Sequence, residues 1–256
     1  AAVGLADDRW GLPAGVRLLA QVVAALCVAG SDAVVREVAL PWNATWDLGV
    51  LAVPATMVWL VGLTNIYNFM DGIDGLAASQ AIVTAGAMCL LAVCLGREDV
   101  AAAMAILGAG VLGFVVLNWA PARIFMGDVG STFLGFILAG FAVLPASADA
   151  ETLPLAAWVA VLSPFLFDAL WTLARRIVRR EPIHKAHRSH MYQMLVQAGW
   201  SHARTTLLYT ALASFAGIVT VLHYGVHLIP PQIYLAAVLA PLAVPPLLVA
   251  AVRRHA

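Results

Sequence analysis

The sequence predicts an all-α fold: a polytopic integral membrane helical bundle with about eight transmembrane helices. Only 11% of the 256 residues are charged and the mean hydropathy is +0.91, whereas soluble domains carry about 25% charged residues. The apolar residues also gather in eight runs, none of which shows the alternation of a membrane β-strand. We therefore predict one membrane-embedded domain over residues 1–256.

The eight runs are separated by short polar segments. Most approach the ~17–25 residues that cross a bilayer as a helix, and the first and fifth are shorter. The predicted spans cover residues 16–30, 48–64, 76–95, 100–117, 131–144, 155–174, 206–223 and 232–252.

The distribution of charge predicts the orientation of these spans. If successive helices alternate in direction, all but two of the fourteen Lys and Arg residues lie on one side of the membrane, the exceptions being Arg36 and Arg97. The positive-inside rule predicts that this side is cytoplasmic. The same side receives five acids at predicted helix ends, so we expect a single polar site there. These acids are Asp7, Asp8, Asp71, Asp74 and Asp128.

The first polar cluster is the adjacent pair Asp7 and Asp8 in LADDRWG. Neighbouring carboxylates repel one another, so both stay ionised at neutral pH only beside cations or a metal. Capping of a helix N-terminus is the simpler explanation of such a pair. A functional role therefore depends on the other clusters.

The second cluster is NIYNFMDGIDGLA, in which Asn65, Asn68, Asp71 and Asp74 follow one another at spacing three. On a helix this spacing makes a polar stripe that drifts slowly around the surface. The two Asp-Gly pairs alternatively indicate turns between two spans. A calcium loop of the EF-hand type is excluded because no acid follows at its twelfth position.

The third cluster is NWAPARIFMGDVGSTFLG, with Asn118 after one span and Asp128 before the next. Capping is the simple interpretation of Asp128, although a helix start with free amides also binds phosphate. Gly127 and Gly130 would let the backbone approach a ligand closely. Phe125 is either an anchor at the membrane interface or an aromatic ring that stacks on a base.

The fourth cluster, RRIVRREPIHKAHRSHMYQ, combines many cations with three histidines at spacing three. Attraction to anionic lipid explains the cations, and Lys185 and Arg188 disfavour a zinc site at the histidines. Cations beside carboxylates also suit a polyanionic substrate bridged by Mg²⁺. Asp168 is either a buried partner of Arg175 and Arg176 or part of the site. The histidines are His184, His187 and His190.

Together, and in this order, the four motifs resemble the polyprenyl-phosphate N-acetylhexosamine-1-phosphate transferases, which are of the glycosyltransferase family 4 type. The resemblance covers essentially the whole chain and is most specific in the second and third motifs. It implies transfer of an N-acetylhexosamine 1-phosphate from a UDP-sugar to undecaprenyl or another polyprenyl phosphate, with release of UMP. This is the first membrane step in the synthesis of a cell-envelope polysaccharide.

The resemblance also implies the roles of individual residues and the partners of the protein. The expected cofactor is Mg²⁺, with Mn²⁺ as an alternative, and the expected location is the bacterial plasma membrane with the active site facing the cytoplasm. A homodimer is a further expectation, and no nucleic acid is expected to bind. Asp7 and Asp8 would be catalytic, Asp128 the metal ligand, and the following residues would contact substrate: Asn65, Asn68, Asp71, Asp74, Asn118, Phe125, His184, His187, Arg188 and His190.

Three features depart from the family pattern. Gly11 stands where several relatives have a third acid, and HKAHRSH replaces a tight histidine run. Family members also carry two or three further spans before the Asp-Asp motif, so we expect this chain to be truncated at its N-terminus relative to the family. A membrane cation or proton transporter is the alternative function, but it would be expected to place its acids near the membrane midplane on broken helices.

Overall fold

The structure is a computed structural model that describes residues 1–31, 33–39, 45–144, 153–182 and 187–254. Helices dominate these residues, which confirms the predicted all-α class, and one short hairpin pairs β1 (Glu37–Ala39) antiparallel with β2 (Thr45–Asp47). The helices are α1 (Ala2–Trp10), α2 (Ala14–Ala29), α3 (Ala52–Met70), α4 (Leu76–Cys94), α5 (Glu98–Asn118), α6 (Gly127–Phe141), α7 (Leu155–Val161), α8 (Ser163–Val178), α9 (Met191–Gln197), α10 (His202–Thr220), α11 (Pro231–Leu239) and α12 (Val244–Arg254).

Three short segments of other helical types extend these elements. A 3₁₀ turn at Gly49–Leu51 leads into α3, and a second one at Ala240–Ala243 joins α11 to α12. A π-helical segment at Val221–Gly225 continues α10. Each extended helix is therefore long enough to count as one membrane span.

The predicted number of eight spans is not confirmed, although each of the eight predicted runs lies on a helix. Among the described residues, five helical segments are long and apolar enough to cross a bilayer, and the α7–α8 pair is a sixth if it is counted as one span. The remaining two apolar helices, α2 and α6, are shorter. The five segments are Gly49–Met70, Leu76–Cys94, Glu98–Asn118, His202–Gly225 and Pro231–Arg253.

The sixth predicted run is broken. α7 and α8 meet at Leu162 with a bend of 77° between their axes. Pro164 lies in the first turn of α8, where its missing N–H and fixed φ are tolerated, whereas the interior of a continuous helix would be disrupted by it. The sequence run is thus two helices with different directions.

α4 lies at the centre of the bundle because its residues are small. It packs against α5 on one side and α10 on another. Ala77, Ala78, Ala81 and Ala85 are buried on α4, and small residues let helix backbones approach one another closely. α5, by contrast, leaves most of its apolar surface exposed, as expected for a helix that faces lipid.

α3 and α6 form the second close helix pair and carry the polar site at their ends. The contact depends on Gly135 of α6, since a Cβ atom there would lie 2.8 Å from the Thr64 Cα and 2.8 Å from the Tyr67 Cβ. Backbone atoms of α3 cannot move aside without moving the helix. The distance between these helices is therefore set by the absence of a side chain.

We expect Gly135→Val to destabilise the protein by roughly 1–3 kcal/mol, the usual cost of overpacking. The matched control is Gly113→Val on α5, where a Cβ atom would meet nothing within 4 Å. The measurement is the thermal unfolding midpoint of both variants in the same detergent. Equal midpoints for the two variants would show that the α3–α6 contact is not limited by Gly135.

Candidate active site

The site is organised where the end of α1 meets the start of α6. Asp8 accepts hydrogen bonds from the backbone amides of Asp128 (2.8 Å) and Val129 (3.0 Å), one on each carboxylate oxygen. Gly127 has a φ of +65°, and a Cβ atom there would lie 2.7 Å from Asp8 Oδ2. Asp8 therefore caps α6 from another helix. Neither amide is free for phosphate, and the close approach at Gly127 is to Asp8.

Arg17 joins the acidic pair to Asp128. Its Nη1 lies 2.6 Å from Asp7 Oδ2 and 2.8 Å from Asp128 Oδ2. The other oxygen of Asp7 accepts from the Leu12 amide at 2.6 Å. The pKa of Asp7 is lowered, first by its contact with Asp128 and then by the Leu12 amide and Arg17. One guanidinium thus compensates two carboxylates from different parts of the chain.

Asn68 connects α3 to the same group. Its Nδ2 donates to Asp128 Oδ1 at 3.0 Å and to Ser131 Oγ at 2.9 Å. Ser131 in turn donates to the Gly127 carbonyl. Among the described residues the amide oxygen of Asn68 has no hydrogen-bond partner. Both carboxylate oxygens of Asp128 therefore accept a hydrogen bond, and the side-chain amide oxygen of Asn68 is available to a ligand beside them.

Asp71 is the uncompensated acid of the site. No hydrogen bond reaches its carboxylate from any described residue. Burial, together with the negative charges of Asp128 and Asp8, raises its pKa to about 7. An added cation would stabilise the ionised Asp71 carboxylate, because its positive charge offsets the cost of burial and the repulsion by Asp128 and Asp8.

The polar stripe predicted for the second motif forms only in part. Asn65 and Asn68 lie on α3, but the helix ends at Met70 and Asp71 is its C-cap. The alternative interpretation, a turn, is correct for the Asp-Gly pairs. Gly75, the N-cap of α4, has a φ of +76°, so the turn favours a residue without a Cβ.

Asp74 and Asn118 hold the loops of the site together. Asp74 Oδ2 accepts from the Ala122 amide at 3.2 Å and lies 3.3 Å from His202 Nδ1. Asn118 is buried, accepts from the Gly75 amide at 3.0 Å and donates to the Ile124 carbonyl at 2.9 Å. Both side chains therefore have a structural task in addition to any contact with substrate.

These residues surround a polar cavity of about 440 Å³. Phe125 stands at its rim with 78% of its surface exposed. Six of the residues proposed from the sequence line the cavity, and His202 is an additional one: Asn68, Asp71, Asp74, Asn118, Phe125, Asp128 and His202. We call this space the polar cavity.

Asn65 does not reach the polar cavity. Its Nδ2 donates to Gln21 Oε1 of α2 at 2.6 Å and to the Val61 carbonyl at 2.8 Å. Gln21 lines a second cavity of about 250 Å³ between α1, α2, α3 and α6. The wall of this apolar cavity is formed largely by α6, through Phe133, Phe136 and Ile137, while Arg17 and Asp128 also line it.

The described part of the late histidine segment, residues 187–190, lies beside the polar cavity and does not line it. His184 is outside the described residues. His187 and His190 stack with ring centroids 5.0 Å apart, and His190 is buried. The centroids of His190 and Phe69 are 6.4 Å apart, so the segment borders the end of α3. Arg188 is exposed.

Asp168 positions the described part of this segment, and it forms no ion pair with Arg175 or Arg176, contrary to the first interpretation made from the sequence. Its carboxylate accepts from the amides of Met191 and Tyr192 at 2.9 and 3.0 Å, which caps α9. It also accepts from Tyr209 Oη at 2.5 Å and lies 3.2 Å from His190 Nδ1. Arg176 pairs with Glu181 at 3.0 Å instead.

The oxygen donors of the polar cavity fit Mg²⁺. No three His, Cys, Asp or Glu side chains within the described ranges could hold a metal ion by themselves. Mg²⁺ in sites that bind phosphate, however, takes one or two carboxylates and completes its shell with water and phosphate oxygens. Asp128, the free oxygen of Asn68 and the unpartnered Asp71 all line this cavity and supply that chemistry.

Fold and site together define a polytopic membrane protein with a polar, carboxylate-lined cavity at the ends of its helices. Residues 1–146 match the profile of glycosyl transferase family 4. The chain belongs to this family.

The chain is similar to curated members of that family from several bacteria. It is 30% identical over 207 residues to a probable undecaprenyl-phosphate N-acetylglucosaminyl 1-phosphate transferase of Bacillus subtilis, covering 80% of the chain and 58% of the relative. It is 33% identical over 230 residues to a decaprenyl-phosphate N-acetylglucosaminephosphotransferase of Mycolicibacterium smegmatis, covering 81% and 56%.

A third relative is covered over more of its length. A phospho-N-acetylmuramoyl-pentapeptide-transferase of Moorella thermoacetica is 36% identical over 233 residues, which cover 83% of the chain and 69% of the relative. Against the two relatives named before it, the chain spans little more than half of their length.

The raised pKa of Asp71 predicts a pH-dependent stability in metal-free buffer. Because this pKa is higher in the folded than in the unfolded state, folding loses stability as the pH rises from about 4 to about 7. At pH 8 we expect Asp71→Asn to unfold at a higher temperature than the wild type, by an amount that corresponds to at most about 4 kcal/mol. At pH 5 the difference should be smaller.

Thermal unfolding at both pH values, with and without Mg²⁺, measures this effect. Mg²⁺ should stabilise the wild type and reduce the advantage of Asp71→Asn at pH 8. Asp47→Asn, which removes an exposed carboxylate from the hairpin, is the matched control. The interpretation would be wrong if Asp71→Asn and the wild type had the same pH dependence.

Proposed function

We propose that this protein transfers an N-acetylhexosamine 1-phosphate from a UDP-sugar to a polyprenyl phosphate such as undecaprenyl phosphate, releasing UMP. The observation that carries the proposal is the position of Asp128, which lines both the polar cavity and the apolar cavity. A reaction between a water-soluble donor and a lipid acceptor needs such a junction. The names of the relatives support the same reaction and a role in cell-envelope synthesis.

The polar cavity suits the nucleotide sugar. Phe125 offers an exposed ring on which uracil can stack, and stacking of a base on an aromatic side chain contributes about 1–3 kcal/mol. Asp74 and Asn118 are held by backbone groups, so the edge of the base would meet a preformed wall. The diphosphate would then lie towards Asn68, Asp71 and Asp128.

The apolar cavity suits the first part of a polyprenyl chain. Its wall combines aromatic and aliphatic side chains of α6 with small residues of α1 and α2. Arg17 lies at its polar end, where a phosphate monoester can pair with the guanidinium. An acceptor held in this way would place its phosphate beside Asp128.

Mg²⁺ is part of the proposal, with Asp128, Asn68 and Asp71 as the residues that would hold it. When bound it would neutralise the charge of the diphosphate and of the departing UMP. Arg17 is now shared by Asp7 and Asp128, and pairing of Asp128 with a cation would leave Arg17 free to contact phosphate.

The chain's own residues would mainly position the reactants. An oxygen of the lipid phosphate attacks the phosphorus that bears the sugar, the bond from this phosphorus to the bridging oxygen breaks, and that oxygen leaves with UMP. A phosphate monoester has a second pKa near 6, so the nucleophile needs little help from a base. The Asp8 carboxylate accepts hydrogen bonds from two backbone amides, which suits a positioning role. Asp7 would orient Arg17, with which it forms an ion pair.

The transporter alternative receives no support from the location of the acids. The acids that line the polar cavity lie at or beyond the ends of α3 and α6. Asp168, which lies within α8, is engaged by the start of α9, Tyr209 and His190. An acid in that environment serves as a cap.

The deciding experiment measures release of UMP by the complete gene product in detergent, with undecaprenyl phosphate, Mg²⁺ and a panel of UDP-N-acetylhexosamines. Release should require both the lipid and the metal, and the active donor identifies the sugar. Asp128→Asn should reduce turnover by at least about a hundredfold, as loss of one electrostatic contact to a transition state does.

Glu98→Gln is the matched control, because it removes an exposed carboxylate from the opposite end of the bundle. It should leave turnover unchanged. Near-normal turnover of Asp128→Asn would remove this residue from the reaction. No UMP from any donor, with folded protein, would overturn the proposed function.

Stacking on Phe125 has its own test. We expect Phe125→Ala to raise the KM for the UDP-sugar about tenfold with a smaller change in kcat, since stacking contributes about 1–3 kcal/mol per base. Phe125→Trp should preserve the KM. If Phe125 were only an anchor at the membrane interface, Phe125→Ala would leave the KM unchanged.

A further inference from the structure

The second half of α8 presents basic and apolar side chains to its surroundings at the same time. Leu170, Trp171, Ile177 and Val178 are exposed large apolar residues, with Val178 at 82%. Arg175 is half-buried on this helix, and Arg179 and Arg180, which directly follow its last residue, are exposed. Exposure to water disfavours the apolar side chains, and the bilayer core disfavours the arginines, so neither environment alone suits this surface.

The direction of α8 agrees with an interfacial location. It turns away from α7 by 77°, so if α7 runs close to the membrane normal, α8 runs close to the membrane plane. Helices that lie in this plane bury their apolar residues at the boundary of headgroups and acyl chains and point Arg or Lys towards the headgroups. The composition and the angle of α8 therefore indicate the same location.

Two arginines from different helices converge on one weak acceptor. Arg175 Nη1 of α8 and Arg253 Nη2 of α12 lie 3.5 and 2.9 Å from the sulfur of Met194. A thioether accepts hydrogen bonds only weakly and carries no charge. Within the described residues no carboxylate forms an ion pair with either arginine. Arg179 and Arg253 repel Arg175, whereas the carboxylates of Glu181 and Asp168 attract it without forming an ion pair with it.

This pair contrasts with its neighbour Arg176. Arg176 is buried, pairs with Glu181 at 3.0 Å and donates to the Pro182 carbonyl. Within the described residues, the buried Arg176 thus has an acidic partner, whereas the half-buried Arg175 and the exposed Arg253 form no ion pair. An exposed cluster of like charges is stabilised by an anion from outside the chain.

We propose that Arg175 and Arg253, with the exposed apolar residues of α8, form a binding site for an anionic phospholipid. The lipid phosphate would pair with the two guanidinium groups, and the acyl chains would lie against Leu170, Ile177 and Val178. The apolar residues favour a phospholipid over a soluble anion. This inference is independent of the proposed transferase reaction, since none of these residues lines the polar cavity.

The site is connected to the late histidine segment. Arg175 Nη2 donates to the Ser189 carbonyl at 2.6 Å, and Ser189 lies between Arg188 and His190. His190 in turn contacts Asp168. A lipid that fixes Arg175 therefore also fixes the segment that borders the end of α3.

The experiment measures the thermal unfolding midpoint of the complete gene product in neutral detergent. Dioleoylphosphatidylglycerol is added in increasing mole fraction, and dioleoylphosphatidylcholine, undecaprenyl phosphate and sn-glycerol 1-phosphate are added in parallel. We expect phosphatidylglycerol to raise the midpoint far more than phosphatidylcholine or the soluble headgroup. Arginine near an anionic surface contributes about fivefold to binding. The double variant Arg175→Gln/Arg253→Gln should therefore need a roughly thirtyfold higher half-saturating fraction.

Two further variants make the result specific. Arg204→Gln removes the same charge from α10, where the guanidinium lies 3.7 Å from the Trp200 ring centroid, and should respond to phosphatidylglycerol like the wild type. Arg175→Lys/Arg253→Lys should retain most of the response. Each shift is measured against the variant's own lipid-free midpoint, so a general loss of stability does not imitate a loss of binding.

Four outcomes would overturn the proposal. Equal stabilisation by phosphatidylcholine would show that charge plays no part, and equal stabilisation by sn-glycerol 1-phosphate would show an anion site without lipid character. An unchanged phosphatidylglycerol response in Arg175→Gln/Arg253→Gln would place the lipid elsewhere. A response to undecaprenyl phosphate alone would likewise contradict it. Because turnover is not measured, failure here is distinct from failure of the proposed reaction.

Discussion

The hydrogen bonds from the first amides of α6 to the Asp8 carboxylate are the contact on which the arrangement of the site depends. They fix the end of α1 on α6, and this brings Asp7 close enough to Asp128 for both to share Arg17. The contact is possible because Gly127 has no side chain at the point where Asp8 approaches. It also explains why carboxylates can gather beside a membrane. A helix N-terminus, a guanidinium and an amide each compensate part of their charge.

Much of the fold follows from hydrophobicity. Each of the predicted apolar runs lies on a helix, since no other element satisfies its backbone within a bilayer. Hydrophobicity does not distinguish a straight helix from a broken one, so it predicts a single span over residues 155–174, where the structure has two helices. Pro164 is the residue that indicates the break, because proline is tolerated in the first turn of a helix and disrupts the interior of one. The two short helices, α2 and α6, coincide with the two predicted runs that are shorter than the others.

The site was predictable to the extent that its motifs lie at helix ends. Asp71 and Asp128 are far apart in sequence, and their convergence follows from placing both ends on one side of the membrane. The direction in which an individual side chain points cannot be predicted from the position of its motif at a helix end. Asn65 shares the spacing of Asn68, yet it faces α2 and pairs with Gln21, because a stripe at spacing three turns around the helix. The role of Arg17 and the partners of Asp168 are not predictable from the sequence, because both depend on tertiary packing.

Two regions of the protein carry charges of opposite sign that lack full compensation, one near α6 and the other near α8 and α12. Near α6 the carboxylates outnumber their partners, and Asp71 has no donor among the described residues. Near α8 and α12 the arginines outnumber theirs, and Arg175 and Arg253 share a thioether. If the excess carboxylates and the excess arginines compensated one another, they would lie side by side and form ion pairs. They instead lie on separate elements, with Asp168 and the segment at 187–190 between them. The separation of the two excesses agrees with the two proposed ligands, a cation beside Asp71 and an anion beside Arg175 and Arg253.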